Sequence, residues 1–280
     1  MIVAVAVGVG AVVTLALWVG TRPVFERPIL LRENFAGRPV PVAVGVLFAA
    51  SATFGVAVLT VIDSVGIEVD PEAVAASHVS LLAVVGFTLL GLLDDVAQDS
   101  GVSGYRGHVA ALVRGRLSAG ALKLLAGGAL SLVVVAPVAG ESAVRLAVDG
   151  ALVALSANLA NLLDRAPGRV LKVSVVAMAA VIAGAGAGAE AIGVGFVGGA
   201  ALALLVPDLR EKLMLGDAGS NALGATTGLG LVLNCSEMTR TIVMIVVLGF
   251  NLLSEVVSFS AVIRRVGPLR LLDEWGRELP

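Results

Sequence analysis

Residues 1–20 of the chain are MIVAVAVGVGAVVTLALWVG, an uninterrupted apolar run that predicts the fold class. The hydrocarbon core of a bilayer is about 30 Å thick, and an α-helix needs about 20 apolar residues to cross it. The run lacks a basic start and an obvious small-residue cleavage site, and an Arg-containing loop follows it directly. We therefore predict a retained transmembrane helix here rather than a cleaved signal peptide.

The rest of the sequence has the same character. Hydrophobic residues make up 58% of the 280 residues and charged residues only 14%. No water-soluble globular domain needs that much apolar sequence, so we predict an all-α polytopic membrane protein with a single integral-membrane domain over 1–280. About nine transmembrane helices are predicted, at 1–20, 40–62, 78–93, 120–139, 145–163, 171–187, 189–206, 219–234 and 241–263.

Basic residues are unevenly distributed between the two sets of loops that alternate along these nine helices. One set holds all of the 19 Lys and Arg residues except Arg145 and Arg240. Because short cytoplasmic loops carry an excess of Lys and Arg, the asymmetry predicts an N-terminus outside the cell and a cytoplasmic C-terminus.

Carboxylates interrupt the apolar runs at three places, each at a predicted cytoplasmic helix end. They are Asp94 and Asp95 in GLLDDV, Asp164 in NLANLLD, and Asp217 in LGDAGS. Any one of them alone is better explained as an ordinary interface residue or helix cap. Together they offer the oxygen ligands that hard divalent cations share with substrate phosphates. Carboxylates without His or Cys ligands favour Mg²⁺ or Mn²⁺ over Zn²⁺.

The residues around Asp217 favour an anion site. Gly216, Gly219 and Ser220 surround this Asp at a predicted helix start. Such a turn lets backbone N–H groups approach an anion, and the helix dipole adds to the attraction.

The residues before Asp164 form a polar stripe in an apolar helix. Asn158 and Asn161 precede it at three-residue spacing, which puts all three near one helical face. We expect the stripe to face a cavity or other helices. Interhelical hydrogen bonding by the two Asn side chains is the alternative.

Positive-inside charge is a sufficient explanation for most basic residues. Arg38 precedes the second predicted helix, Arg106 and His108 lie in the loop after Asp95, and Lys123 opens the fourth helix. The last three fall between the acidic sites, so they are better candidates for site residues than the other basic residues.

Five strings along the chain resemble a known family. The strings occur in the same order as in that family, with similar spacing, and together they span nearly the whole chain. The last string is the most specific of the five. The strings are GRPVPVAVG at 37–45, GLLDD at 91–95, LSAGALKLLAG at 117–127, NLANLLD at 158–164 and LMLGDAGSNALG at 213–224. The family is that of the polyprenyl-phosphate N-acetylhexosamine-1-phosphate transferases (glycosyltransferase family 4), which includes phospho-N-acetylmuramoyl-pentapeptide transferase.

The resemblance implies a multi-pass enzyme of the bacterial cytoplasmic membrane with its active site facing the cytoplasm. It implies transfer of an N-acetylhexosamine-1-phosphate from a UDP-sugar to polyprenyl phosphate, with release of UMP, in the synthesis of peptidoglycan or cell-envelope polysaccharide. Mg²⁺ is the implied cofactor. The implied partners are a UDP-amino sugar, polyprenyl phosphate and the lipid bilayer, with no nucleic acid; a homodimer stays open.

The same resemblance implies roles for the residues noted above. Asp94, Asp95 and Asp217 would be catalytic, and Asp217 and Asp95 would hold the metal. The substrate-binding positions would be Arg38, Arg106, His108, Lys123, Asn158, Asn161, Asp164, Gly216, Gly219 and Ser220.

Three departures from the family pattern leave two hypotheses about function open. Pro167 stands where the family has a second Asp, Met214 stands where an aromatic residue often precedes the Gly-Asp pair, and the His-rich loop near the C-terminus is missing. One hypothesis is an active transferase with altered donor recognition, in which Arg165, Arg169 or the C-terminal arginines contact the nucleotide phosphates. The other is a catalytically impaired relative that binds a lipid phosphate or a partner in cell-envelope assembly.

Overall fold

The computed structural model describes residues 1–34, 36–97 and 119–277, which form a helical bundle with one short β-hairpin. The helices are α1 Ile2–Phe25, α2 Val46–Ser64, α3 Pro71–Ala97, α4 Ala119–Ala139, α5 Ala143–Leu163, α6 Arg169–Gly184, α7 Ile192–Leu209, α8 Gly216–Asn234, α9 Glu237–Ser254, α10 Phe259–Arg265 and α11 Gly267–Glu274. The strands are β1 Leu31–Glu33 and β2 Pro39–Pro41.

Within the described ranges, seven helices are long and apolar enough to cross a membrane: α1, α2, α3, α4, α5, α7 and α9. Large apolar side chains also cover the outside of the bundle, among them Val12 on α1 and Leu252 on α9, which are 69% and 64% exposed. Exposed apolar surface of this extent is typical of a lipid-facing protein. The chain is therefore consistent with a multi-pass, all-α membrane protein. The nine-helix count and the orientation stay predictions, since α6 and α8 do not meet the criteria for a membrane-spanning helix.

Several boundaries differ from those predicted. The second helix begins at Val46 rather than 40, because Pro39–Pro41 forms a strand that pairs antiparallel with β1. Proline has no backbone N–H and a fixed φ, which suits a short edge strand better than a helix interior. The third helix begins earlier than predicted, at Pro71. The last predicted span breaks after Ser254 into α9 and α10.

Helix α8 lies at the centre of the bundle and packs against α2, α3, α4, α5, α6 and α7. Its small residues let neighbouring backbones come close. A Cβ on Gly224 would collide with the backbone of Ser156 on α5, and a Cβ on Gly91 of α3 would collide with the backbone of Asp217. These glycines hold α3 and α5 against α8.

Candidate functional site

Four polar side chains from four helices meet at one end of α8. The Lys123 ammonium on α4 donates to Asp94 Oδ2 on α3 at 3.2 Å and also to Asp217 Oδ2 on α8. Asn161 on α5 donates from Nδ2 to the same Asp217 oxygen at 3.0 Å. We call Asp94, Lys123, Asn161 and Asp217 the Asp217 cluster. The structure thus brings together four of the residues singled out from the sequence.

Asp95 has a different position from its neighbour Asp94. Its two carboxylate oxygens accept hydrogen bonds from the backbone N–H groups of Asp217 and Ala218, at 2.9 and 3.0 Å. The first N–H groups of a helix have no partner within the helix, so Asp95 caps α8 from another helix. The anion expected at this helix start is therefore supplied by the protein itself. This geometry gives Asp95 a positioning role at Asp217.

The small residues around Asp217 allow this close approach. Gly216 has φ +70°, and a Cβ there would collide with the Asp95 carboxylate. Gly219 packs against the Cα of Gly45, which leaves no space for a side chain at either position. Ser220 is fully buried and its hydroxyl donates to the Gly216 carbonyl of its own helix. Gly216, Gly219 and Ser220 therefore shape the start of α8.

The β-hairpin packs beside this helix start. The Met214 N–H donates to the Pro41 carbonyl at 2.7 Å, so the 37–45 string lies along the 213–224 string. Arg38, at the tip of the hairpin, is largely exposed, and its Nη2 lies 4.0 Å from Glu211 Oε2. Arg38 therefore flanks the site at its solvent-facing edge.

Two cavities adjoin the Asp217 cluster. The first, the apolar-walled cavity, has a volume of about 290 Å³ and lies between α3, α4, α5 and α8. Its apolar walls include Phe87, Leu90 and Leu124, and its polar groups include Lys123 and Asn161. Such a space suits a ligand that is apolar over most of its length and charged at one end.

The second, the acidic cavity, has a volume of about 410 Å³ and is reached from the loops after β1, α5 and α7. Its acidic lining residues are Glu33, Asp164, Asp208, Glu211 and Asp217. Arg165, Pro167 and Met214 also line this cavity, so two of the three departures noted from the sequence, Pro167 and Met214, lie at one place.

Asp164 ends α5 at the wall of the acidic cavity. Desolvation there raises the pKa of its carboxyl well above the ordinary value, and the negative charges of Asp208 and Asp217 raise this pKa further. A cation or a cationic group that entered the cavity would lower the pKa again. The negative charges around the acidic cavity therefore favour the binding of a cation or a cationic group there.

Asn158 does not join the cluster by a hydrogen bond. Its Nδ2 donates to Asn251 Oδ1 on α9 at 2.6 Å, and Asn251 in turn donates to the Leu155 and Val247 carbonyls. The alternative of an interhelical hydrogen bond is what the structure shows at Asn158. Asn251 was not singled out from the sequence, although a polar residue inside the apolar stretch of α9 is the signal that would have identified it.

The C-terminal segment restrains two of the arginines expected at nucleotide phosphates. Arg169 is buried and forms a two-pronged ion pair with Asp273 of α11, at 2.7 and 2.9 Å. Arg277 donates to the Pro167 carbonyl at 2.8 Å and also pairs with Asp273. Arg169 and Arg277 thus hold α11 against the start of α6. Arg165 is exposed at the acidic cavity and is the better candidate for a phosphate contact.

Arg106 and His108 lie outside the described residues, in the interval 98–118. Among residues 1–34, 36–97 and 119–277, no group of three or more Asp, Glu, His or Cys side chains could hold a metal ion alone. Mg²⁺ commonly binds through one or two carboxylates and completes its shell with substrate phosphates and water. Asp94 and Asp217 fit that mode.

Comparison of the sequence with models of protein families and with curated proteins finds no match.

Proposed function

We propose that this chain transfers an N-acetylhexosamine-1-phosphate, or a related sugar phosphate, from a UDP-sugar to polyprenyl phosphate and releases UMP. The observation that carries the proposal is the Asp217 cluster, in which two carboxylates, an ammonium group and an amide from four helices meet beside an apolar-walled cavity. The strings around these side chains are the ones that resemble the transferase family.

The reaction requires both an apolar and a polar entrance. An oxygen of the lipid phosphate attacks the β-phosphorus of the UDP-sugar, a new P–O bond forms, and the bond to the UMP oxygen breaks with its electron pair leaving on UMP. The lipid would occupy the apolar-walled cavity, and the nucleotide sugar would enter through the acidic cavity. Asp217 lines the acidic cavity and is bonded to Lys123 and Asn161 of the apolar-walled one. The reacting phosphates would therefore meet at the Asp217 cluster.

Positioning and charge neutralisation provide most of the catalysis in phosphoryl transfer. Lys123 would leave its carboxylates to balance the charge of a phosphate, and Asn161 would keep donating a hydrogen bond near the reacting oxygens. Asp94 would orient the lipid phosphate or accept its proton. Asp95 acts through Asp217, because it fixes the start of α8 from which Asp217 projects.

A divalent cation suits this site. Mg²⁺ would be held by Asp217 and Asp94, and when bound it supplies charge neutralisation to the diphosphate. The acidic lining of the second cavity favours such a cation before the nucleotide arrives. This assignment keeps Asp217 as a metal ligand and replaces Asp95 by Asp94, since the oxygens of Asp95 are bonded to backbone N–H groups.

We further propose the bacterial cytoplasmic membrane as the location, with the Asp217 cluster on the cytoplasmic side. The support is the distribution of Lys and Arg, which are concentrated in the loops at this end of the helices.

A second candidate function is that of a catalytically impaired relative that binds a lipid phosphate in cell-envelope assembly. It is favoured by Pro167, whose carbonyl accepts a hydrogen bond from Arg277 where a further carboxylate is expected. In that case the apolar-walled cavity would still accept the lipid, but the acidic cavity would not turn over a nucleotide sugar.

The deciding experiment is UMP release by the purified protein in lipid nanodiscs with polyprenyl phosphate, Mg²⁺ and a panel of UDP-N-acetylhexosamines. We expect release that depends on all three components and falls at least about hundredfold in Asp217→Asn. Asp63→Asn is the matched control, because Asp63 is an exposed Asp at the opposite end of α2 from the site. A folded wild-type protein that binds polyprenyl phosphate but releases no UMP from any donor would overturn the transferase in favour of the second candidate.

A further inference from the structure

The apolar-walled cavity contains a polar residue that the transferase proposal does not use. Asn221 lines it, one helical turn after Asp217 on α8. Residues four apart lie on the same side of a helix, so Asn221 lies one turn from Asp217, whose carboxylate is hydrogen-bonded to Lys123 and Asn161 of the same cavity. The resemblance to the transferase family assigns no role to this position.

Asn221 is only 2% exposed, and its Nδ2 has no hydrogen-bond partner within the described part of the chain. An unsatisfied buried donor is costly, and nearly all such groups in folded proteins have partners. A donor on a residue that lines a cavity can obtain its partner from a ligand in that cavity.

The other polar side chains of α8 behave differently. Thr226 and Thr227 donate to carbonyls of their own helix, and Asn234 Nδ2 donates to the Gly230 carbonyl at 2.9 Å. Asn221 is the same residue type as Asn234 on the same helix, but its amide N–H groups make no such bond to the described residues. Helix geometry alone therefore does not explain why Nδ2 of Asn221 lacks a partner.

We propose that Asn221 is a ligand-binding residue whose Nδ2 donates to an oxygen of a phosphate monoester carried on a hydrocarbon chain. The apolar walls at Phe87, Leu90 and Leu124 accept the chain, and the Lys123 ammonium at the cluster attracts the phosphate. Asn221 lies about 6 Å deeper along α8 than Asp217, which is the rise of four helical residues. It therefore contacts the head group from the apolar side and favours a phosphate ester over the free alcohol. This inference rests on the proposed function and assigns it a further substrate-binding residue.

The test measures binding of a polyprenyl monophosphate to the full-length protein in phosphatidylcholine nanodiscs, without any nucleotide sugar. The corresponding polyprenyl alcohol and inorganic phosphate are run as separate probes. In Asn221→Leu the side chain keeps its branched shape and loses the amide, and Asn221→Ala serves as a smaller second variant. Asn234→Leu is the matched control on the same helix.

We expect both Asn221 variants to bind the monophosphate about tenfold more weakly, with the alcohol unaffected and Asn234→Leu equal to wild type. Thermal unfolding of ligand-free Asn221→Leu should be unchanged or shifted upward, because the variant removes an unsatisfied donor. Equal binding of the monophosphate by wild type and both variants overturns the inference. Binding of inorganic phosphate or of the alcohol with the same affinity as the monophosphate also overturns the inference, since neither ligand would require an amide donor to a chain-borne phosphate.

The outcome is separable from the fate of the transferase. If the wild-type protein releases no UMP but the Asn221 variants lose lipid-phosphate binding, this inference is supported and the transferase proposal is overturned. If the protein releases UMP and both Asn221 variants bind the lipid phosphate with wild-type affinity, this inference alone is overturned.

Discussion

Two charged clusters in this molecule are built in opposite ways. On α5, one carboxylate lies between two guanidinium groups: Asp149 accepts from Arg145 at 2.5 and 3.1 Å and from Arg240 of α9 at 2.6 Å. In the Asp217 cluster, one ammonium group lies between two carboxylates, Asp94 and Asp217. Both clusters join helices that are distant in sequence.

Their surroundings differ as much as their charges. The Asp149 side chain is completely buried, and its oxygens receive three N–H donors from two guanidinium groups, so the negative charge of the carboxylate is compensated by the protein itself. In the Asp217 cluster the three charged side chains are between 19% and 35% exposed and border the two cavities. A buried carboxylate that is hydrogen-bonded through both oxygens to arginines of two helices serves to fix α5 against α9. An accessible cluster that can exchange its partners can bind a ligand, and the following predictions test that difference.

The largest expected effect is on stability, at the Asp149 cluster. Asp149→Asn leaves two guanidinium groups at a buried site without their counter-charge, which should lower the free energy of unfolding by about 3–5 kcal/mol. Unfolding in mixed detergent micelles measures it. The UMP release per folded molecule should equal that of wild type, and Asp63→Asn should change stability by less than about 0.5 kcal/mol. A loss below about 1 kcal/mol would mean that this cluster is not a structural one.

The next effect is on activity, at the Asp217 cluster. Lys123→Met removes the ammonium that balances phosphate charge in the proposed reaction, so UMP release should fall about hundredfold. Stability should fall less than in Asp149→Asn, because Asp94 and Asp217 are partly solvated. Lys212→Met changes an exposed lysine near the same helix start and is the control. Unchanged UMP release in Lys123→Met would exclude Lys123 from the reaction.

A smaller effect is expected where α3 meets α8. The added methyl of Gly91→Ala would collide with the Asp217 carbonyl and the Ala218 nitrogen, which forces the two helices apart and moves Asp94 away from Asp217. We expect stability to fall by about 1–3 kcal/mol, with UMP release reduced along with it. Gly249→Ala on α9 meets open space and should be neutral or slightly stabilising. If Gly91→Ala matched Gly249→Ala in both measurements, the contact between the helices would not position the cluster.

The sequence predicts the parts of this architecture that depend on local pattern. Apolar runs locate the long helices, because length and hydropathy are properties of one segment. The cluster of Asp94, Lys123, Asn161 and Asp217 could also be predicted, since each lies at a helix end and all four helix ends fall on one predicted side of the membrane.

The remainder depends on contacts between distant segments. Asp94 and Asp95 are adjacent and point about 100° apart on a helix, so one faces Lys123 and the other caps α8. The sequence does not indicate which residue takes which direction. Similarly, the pairing of Asn158 with Asn251 requires the relative placement of α5 and α9. Asn221 was not singled out because its significance lies in a missing partner, which only a folded structure reveals.

The smallest expected effect concerns a third ionic contact, which combines features of the two clusters. Asp273 of α11 accepts from Arg169 and Arg277 and is largely buried, yet it belongs to a short helix with exposed apolar side chains such as Leu272, and the exposed Trp275 follows the helix directly. Burial opposes ionisation of Asp273, but the hydrogen bonds and charges of the two arginines outweigh it and hold its pKa below the usual value. Lys172 adds hydrogen bonds to carbonyls at the end of the same helix.

This pKa shift predicts that α11 detaches in acid. Because the pKa of Asp273 is lower in the docked state than in the detached one, its contribution is complete above about pH 4 and disappears as the pH falls through the docked-state pKa. Trp275 fluorescence in a Trp18→Phe background should report the transition, because these are the two Trp residues of the chain. Asp273→Asn should show the acid signal already at neutral pH, whereas Glu274→Gln, at an exposed neighbour, should retain the transition. A transition that persists unchanged in Asp273→Asn would locate the titrating group elsewhere and leave the contact with Arg169 without an electrostatic role in docking.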